Sequence, residues 1–232
     1  MSYFTEEDFK NGQILLFDKP LHWTSFQLVN KVRWLIRKTY GIKKIKVGHA
    51  GTLDPLATGL LIICTGKYTK KIPELQGQIK TYTGTFTMGA TTPSYDLETE
   101  IDQHYPTAHL HADLLHEATQ NFIGEISQYP PVFSALKKDG KRLYEYARKG
   151  QDVEIEARKV EISDFTLSKI QLPEISFEVT CSKGTYIRSL AHDFGKATKS
   201  GAHLSALRRT KIGDFLVSNA LTLETFSNQL PK

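Results

Sequence analysis

The sequence predicts an α+β fold with a central mixed, largely antiparallel sheet flanked by helices and loops. Three observations support this class. Short runs of alternating apolar and polar residues, typical of strands, occur among segments with helical periodicity. Two such runs, Val160–Leu172 and Glu174–Cys181, flank Pro173 and predict a hairpin. The strands and helices do not follow a strict βαβ rhythm, which disfavours a parallel α/β sheet.

The first elements are a strand over Gln13–Asp18 and a helix that Thr24 or Ser25 caps and that runs to about Tyr40. The predicted apolar face of this helix comprises Phe26, Val29, Val32 and Ile36. Basic residues decorate the helix and its exit, namely Lys31, Arg33, Arg37, Lys38, Lys43, Lys44 and Lys46. A solvated face and a face that binds phosphates both fit this pattern, and both stay open.

The stretch Val47–Leu60 has neither helical nor strand periodicity. It contains three glycines and a proline between two β-like segments, Ile45–Val47 and Leu60–Thr65. Loops held between strands often carry functional residues. The further predicted elements are a strand over Thr81–Met88, helices over Asp113–Phe122, Leu143–Lys149 and Tyr186–Lys196, and a basic strand pair over Leu204–Phe215.

Composition and motifs exclude several classes of protein. The longest apolar run, Leu60–Cys64, is far shorter than the ~20 residues of a membrane span. The acidic, polar start is not a secretory signal, and Cys64 and Cys181 have the surroundings of buried thiols. We therefore expect a cytoplasmic protein with no membrane role. The net charge of +5 permits a nucleic-acid partner without requiring one.

No cofactor or metal is expected. The segment Thr65–Lys71 resembles a phosphate-binding loop, but Leu61 and Tyr68 stand where that motif needs glycine and serine or threonine. The sequence also lacks a GxGxxG motif. The spacing of His109, His111 and His116 is a weak metal pattern without cysteine or acidic partners.

Asp54 is the first candidate for chemistry. The following Pro55 disfavours helix at this position, and Leu53 and Leu56 would form apolar walls. A carboxylate on such a loop could act as a nucleophile or general base. A loop aspartate that only accepts backbone hydrogen bonds also fits this pattern. His49, on the same loop, could stack on a base, move a proton or be structural.

Two aromatic and basic segments could add to the same pocket. Tyr82 lies in a predicted strand, and Tyr186 precedes Arg188 by two residues. The tyrosines could stack on an extruded base, while Arg188 could pair with a carboxylate such as Asp54 or bind a phosphate. Each could also be an ordinary core or rim residue.

The segment Val47–Gly59, VGHAGTLDPLATG, resembles the catalytic motif of TruB-type tRNA pseudouridine synthases. Further matches are Lys80–Tyr82, Gln128–Lys137, Gly140–Gly150, Cys181–Arg188 and Gly201–Arg209. The resemblance covers nearly the whole chain, from about Gly12 to Phe226. It implies the pseudouridine synthase fold and the isomerisation of uridine 55 in the T-arm of tRNA, with the T-stem-loop as partner and no obligate protein partner.

The resemblance also implies roles for residues that match family positions. Asp54 matches the catalytic aspartate, Tyr82 the tyrosine on the target base, and Arg188 the arginine paired with the aspartate. The other matching positions are His49 (replacement of displaced T-loop partners), Lys70 (active-site lysine), Asp96 (further acid), Tyr186 (second pocket tyrosine) and Leu207 (apolar pocket residue). Two alternatives stay open, a non-catalytic tRNA-binding or folding factor and an N-glycosidase.

The sequence departs from the family in three places. A TDTxD-like run is replaced by Thr91–Asp96, so the acid before Asp96 is lost. Phe133 stands where a tyrosine is frequent. We expect one catalytic domain over residues 1–232, with a thumb-like RNA-binding insertion at about 125–152 and without the C-terminal PUA domain of many relatives.

Overall fold

The computed structural model describes residues 4–138, 140–151 and 153–231. The helices are α1 (Glu6–Asn11), α2 (Ser25–Tyr40), α3 (Ile72–Gly77), α4 (Ala112–Gln120), α5 (Leu143–Ala147), α6 (Ile187–Ala197) and α7 (Leu223–Asn228), with 3-10 helices at Gly66–Lys71 and Val217–Asn219. The strands are β1 (Ile14–Lys19), β2 (Val47–His49), β3 (Ala57–Thr65), β4 (Lys80–Met88), β5 (Ala90–Thr91), β6 (Gln103–His104), β7 (Gly124–Gln128), β8 (Lys137–Lys138), β9 (Lys141–Arg142), β10 (Arg158–Gln171), β11 (Glu174–Cys181), β12 (Ala202–Ile212) and β13 (Phe215–Leu216). The predicted α+β class with a mixed, largely antiparallel sheet is confirmed.

The described residues divide into two compact units. Unit 1 contains the residues up to Tyr82 and from Leu207 onward, and unit 2 contains Thr83–Ala206. Strands β4 and β12 have residues in both units. The single catalytic domain over 1–232 and its thumb-like insertion stay predictions, and positions 1–3, 139, 152 and 232 of that range lie outside the described residues.

Strand β3 is the centre of unit 1. It pairs antiparallel with β1 and β2 and parallel with β12, so the sheet here is mixed. The strand is buried on both faces, as its apolar run suggests. Leu61 and Ile63 pack in the same cluster as the buried side of α2, whereas Leu60 and Ile62 pack in a second cluster.

Helix α2 confirms the predicted element and corrects its apolar face. Thr24 accepts a hydrogen bond from the Gln27 backbone N–H and the Gln27 side chain returns to Thr24, which forms a capping box. Phe26 is 67% exposed, so its predicted burial was wrong. Successive helical residues are about 100° apart, and Phe26 lies about that angle away from the side that buries Val32 and Ile36.

Unit 2 contains the predicted hairpin. β10 and β11 pair antiparallel, with Phe165 opposite Val179, and β7 pairs on the other side of β10. Five phenylalanines form the core, namely Phe86, Phe122, Phe165, Phe177 and Phe194. The Phe86 and Phe177 ring centroids are 4.1 Å apart. The last of the five comes from α6, so the core aromatics anchor that helix.

The predicted strand pair over Leu204–Phe215 consists of two strands of very different length. β12 continues to Ile212, and only the two-residue strand β13 pairs back with it. Cys64 and Cys181 are buried thiols, as predicted. In the part of the chain that the structure describes, no helix combines the length and the apolar character needed to cross a membrane.

Gly59 tests the packing of β3 against β12. Its φ is +102°, and an added Cβ would overlap the Arg209 carbonyl oxygen. We expect Gly59→Ala to lower the free energy of unfolding by about 2 kcal/mol or more, measured by urea denaturation. Gly77→Ala is the matched control, because its Cβ would meet nothing within 4 Å. Equal stability of the two variants would contradict this packing.

Candidate active site

The loop between β2 and β3 carries Asp54, and its neighbours hold it in place within unit 1. The Ser25 hydroxyl accepts a hydrogen bond from the Leu53 N–H at 2.8 Å and donates one to the Leu53 carbonyl at 3.1 Å. The His22 N–H donates to the Pro55 carbonyl at 2.8 Å. The backbone is therefore bound on both sides of the aspartate, so the structure presents Asp54 from a supported loop.

Arg209 binds the same loop from β12. It is 1% exposed, and its Nε donates to the Leu60 carbonyl at 2.8 Å. Its two terminal nitrogens point to loop carbonyls, with Nη2 3.0 Å from Gly51 O and Nη1 3.5 Å from Thr52 O. A buried guanidinium needs such acceptors, because burying an unpaired charge is costly. Arg209 thus links strand β12 to the loop that precedes β3.

Lys19 places a second buried cation near Asp54. Its Nζ donates to the Trp23 carbonyl at 2.6 Å and the Pro20 carbonyl at 2.9 Å. Burial lowers the pKa of Lys19 to about 8, the attraction of Asp54 opposes this shift, and the nearby Arg209 cation adds to it. The electrostatic interaction of Lys19 with Asp54 therefore provides positive charge beside the candidate catalytic carboxylate.

His49 and Leu207 lie on strands that border the loop. His49 is in β2, opposite Ile63 of β3. Burial lowers its pKa, the charge of Arg209 adds to this shift, and a hydrogen bond with the Gly51 backbone opposes it. These effects together favour the neutral form of the His49 imidazole. Leu207 pairs with Ala57, three residues after Asp54.

Tyr82 and Lys70 are the other two predicted site residues of unit 1. Tyr82 is in β4 and is 7% exposed. Lys70 lies beyond the Thr65 end of β3, whereas Asp54 precedes the opposite end. The structure therefore does not bring Lys70 to the Asp54 loop. It lines a groove of about 290 Å³ with four further lysines, Lys10, Lys44, Lys46 and Lys67.

Arg188 and Asp96 come together in unit 2. The Arg188 Nε is 3.6 Å from the Asp96 Oδ2, and both side chains are buried. Arg188 also donates from Nη1 to the Phe133 carbonyl at 2.9 Å and the Ser94 carbonyl at 3.3 Å. The two segments that depart from the family pattern thus contribute backbone atoms to Arg188.

Gln128 fixes the backbone of Tyr186 at the start of α6. Its Oε1 accepts from the Tyr186 N–H at 2.7 Å, and its Nε2 donates to the Tyr186 carbonyl at 3.1 Å. The Gln128 side chain is buried. One turn into the helix, the Ser189 hydroxyl donates to the Tyr129 carbonyl at 2.7 Å. The last residue of β7 and the residue after it therefore set the position of Tyr186.

Two family models match consecutive parts of the chain. The model described as "TruB family pseudouridylate synthase (N terminal domain)" matches residues 37–187, more than half of the sequence. The chain belongs to the TruB family of pseudouridylate synthases. A second model, "tRNA pseudouridylate synthase B C-terminal domain", matches residues 188–231.

Similar proteins support the same family. A protein of Flavobacterium johnsoniae named "tRNA pseudouridine synthase B" is 64% identical over 227 residues, which cover 97% of this chain and 99% of that protein. A protein of the same name from Phocaeicola vulgatus is 58% identical over 223 residues, 96% of this chain and 95% of that protein. This TruB-family chain is therefore an enzyme, a pseudouridine synthase.

A solved structure shares the fold. A chain in the "Crystal Structure of a Cbf5-Nop10-Gar1 Complex" aligns with a TM-score of 0.70 at 27% identity. The alignment covers 96% of this chain and 55% of that chain. The predicted pseudouridine synthase fold is confirmed.

The roles of the eight predicted site residues in this TruB-family enzyme stay predictions. The pairing of Arg188 with Asp54 is among them. Sequence reasoning missed Lys19, Arg209 and Gln128. A signal for Lys19 was available, because it continues the alternating burial of Leu15 and Phe17 along β1.

Gln128→Glu tests the support of Tyr186. A carboxylate can still accept from the Tyr186 N–H, but it has no donor for the Tyr186 carbonyl and would repel it. We expect kcat for pseudouridine formation to fall roughly tenfold or more, with a smaller change in KM. Gln171→Glu, at an exposed position of β10, is the control. An unchanged kcat in a folded Gln128→Glu protein would show that Tyr186 does not depend on this contact.

The buried Lys19 predicts a pH-dependent stability. Its pKa is lower in the folded protein, about 8, than the ordinary value of 10.5, so between these values the unfolded chain binds more protons. Stability therefore rises with pH in this window. Relative to Lys19→Met, we expect the wild type to gain about 3 kcal/mol between pH 8 and 10.5, measured by urea unfolding. Lys169→Met is the control, and a constant difference between wild type and Lys19→Met would contradict the prediction.

Proposed function

We propose that this enzyme isomerises uridine 55 in the T-arm of tRNA to pseudouridine, with Asp54 as the catalytic residue and without a cofactor. One observation carries the proposal: the motif aspartate lies on a loop held by Ser25 and Arg209, within electrostatic range of the buried Lys19. The relatives named tRNA pseudouridine synthase B support the tRNA substrate. The motif Val47–Gly59 supports the position in the T-arm.

The reaction needs no redox partner or energy source, because substrate and product are isomers. The N1–C1′ bond of uridine breaks, the base turns, a C5–C1′ bond forms, the proton on C5 leaves, and N1 gains a proton. Asp54 either attacks C1′ or removes a sugar proton, which leads to a covalent adduct or a glycal. In the proposal Tyr82 packs on the base and a pocket tyrosine takes the C5 proton.

Arg188 completes the proposed pocket. We propose that it pairs with Asp54, since an adjacent cation favours the ionised form of a carboxylate. The contacts of Arg188 with Asp96 and with the Phe133 carbonyl support this role, because they hold the guanidinium in a defined position. Tyr186, two residues earlier, would form the second aromatic wall, and Leu207 an apolar one.

The target base must leave its stack, which costs a few kcal/mol of unstacking. Basic side chains of the segment 137–148 would offset part of this cost by binding phosphates, as would Lys70 and its neighbours. His49 would take the place of T-loop partners of the base. Asp139 of the thumb-like segment lies outside the described residues. Because the proposed substrate is tRNA, the proposed location is the cytoplasm, and the proposal includes no obligate protein partner.

Release of tritium from tRNA labelled at uridine C5 tests the function. The wild type should release one tritium per tRNA, and a tRNA with cytidine at position 55 should release none. Asp54→Asn should reduce the rate roughly 10³-fold or more. Asp164→Asn, at an exposed position, is the matched control.

Each alternative has its own outcome in this assay. Tight tRNA binding by the wild type without tritium release would favour a non-catalytic binding factor. Free uracil among the products would favour an N-glycosidase. Full activity of Asp54→Asn would overturn the assignment of the catalytic residue.

A further inference from the structure

The positive charge of the chain is concentrated in one segment. Residues 19–53 contain eight lysines and arginines and no aspartate or glutamate. The rest of the chain contains 22 basic and 25 acidic residues. The excess of basic residues therefore belongs entirely to this segment, which includes helix α2.

Six of these basic side chains are exposed, namely Lys31, Arg37, Lys38, Lys43, Lys44 and Lys46. Within the described ranges, none of the six makes an ion pair. Helix α2 contains no acidic residue that could neutralise them three or four positions away. The charges repel one another, and a polyanion would relieve that repulsion.

An exposed tryptophan lies among these charges. Trp34 is 48% exposed, and its ring centroid is 4.4 Å from the Lys31 Nζ and 5.0 Å from the Lys38 Nζ. The spacing of three and four residues places the three side chains on one side of α2. We call this set the Trp34 face. It combines an aromatic surface with two ammonium groups, the pair of features with which proteins bind nucleic acids.

We propose that the Trp34 face binds the tRNA substrate, with Lys31 and Lys38 on backbone phosphates and the indole of Trp34 against a base or ribose. This inference rests on the proposed function and adds a substrate contact to it. Of the two interpretations of the basic helix, a solvated face and a face that binds phosphates, the proposal adopts the second.

The position of the face fits a tRNA bound at Asp54. Helix α2 begins at Ser25, whose hydroxyl holds Leu53 beside the aspartate. Trp34 lies nine residues further along the helix, or about 14 Å. Phe26, on the first turn, is also exposed. An RNA that delivers a base to Asp54 extends beyond that base, and the Trp34 face is within its reach.

Binding of unmodified tRNA by the full chain at several KCl concentrations tests the proposal. The double variant Lys31→Ala/Lys38→Ala should weaken binding and lower the slope of log Kd against log salt by roughly one for each lysine. Trp34→Ala should raise Kd roughly fivefold or more, and Trp34→Phe should restore most of the affinity. Lys169→Ala/Lys211→Ala removes two exposed lysines elsewhere and is the charge-matched control.

The outcomes separate this inference from the function itself. The Lys31, Lys38 and Trp34 variants are assayed for tRNA binding, and the wild type is assayed for tritium release as well. If the wild type releases tritium but these variants keep its Kd and salt slope, the Trp34 face does not bind tRNA and the proposal is overturned. An equal loss of affinity in the Lys169 and Lys211 variant would also overturn it, because the effect would then be one of net charge. Absence of tritium release from the wild type would instead contradict the proposed function.

Discussion

The buried guanidinium of Arg209 is the contact on which the Asp54 loop depends. It donates to carbonyls on both sides of the aspartate, those of Gly51 and Leu60, from a strand that runs parallel to β3. A charge in this position must keep all its acceptors, because removing one partner leaves an unsatisfied buried group. The parallel pairing of β12 with β3 is therefore a requirement of the site as much as of the sheet.

Charged side chains lie both at the start of helix α2 and along its exposed side. At its start, the chain holds a carboxylate within electrostatic range of the buried Lys19. Along its exposed side, lysines without acidic partners surround Trp34. An RNA substrate is a polyanion that presents one base for chemistry. In the proposal, Asp54 acts on that base and the exposed lysines bind the phosphates.

Local sequence patterns predicted most helices and strands. They failed for features that depend on contacts between residues far apart in the sequence. The cap of α2 at Thr24 and the hairpin around Pro173 depend on neighbouring residues, and both were predicted correctly. The burial of Phe26 was predicted wrongly, because the core contacts only one side of that helix. Asp54 became a strong candidate only through the family motif, since its local pattern fits a structural aspartate equally well.

The sequence alone predicted the class of fold, the main helices and strands, the family and the candidate aspartate. It could do so because periodicity, capping and motifs are local properties of a chain. The residues that hold the site in place could not be predicted from the sequence. Arg209 meets Gly51 across 158 positions, and Gln128 meets Tyr186 across 58. Whether a charged or amide side chain is buried depends on which distant carbonyls and N–H groups surround it after folding, and only the tertiary structure decides that.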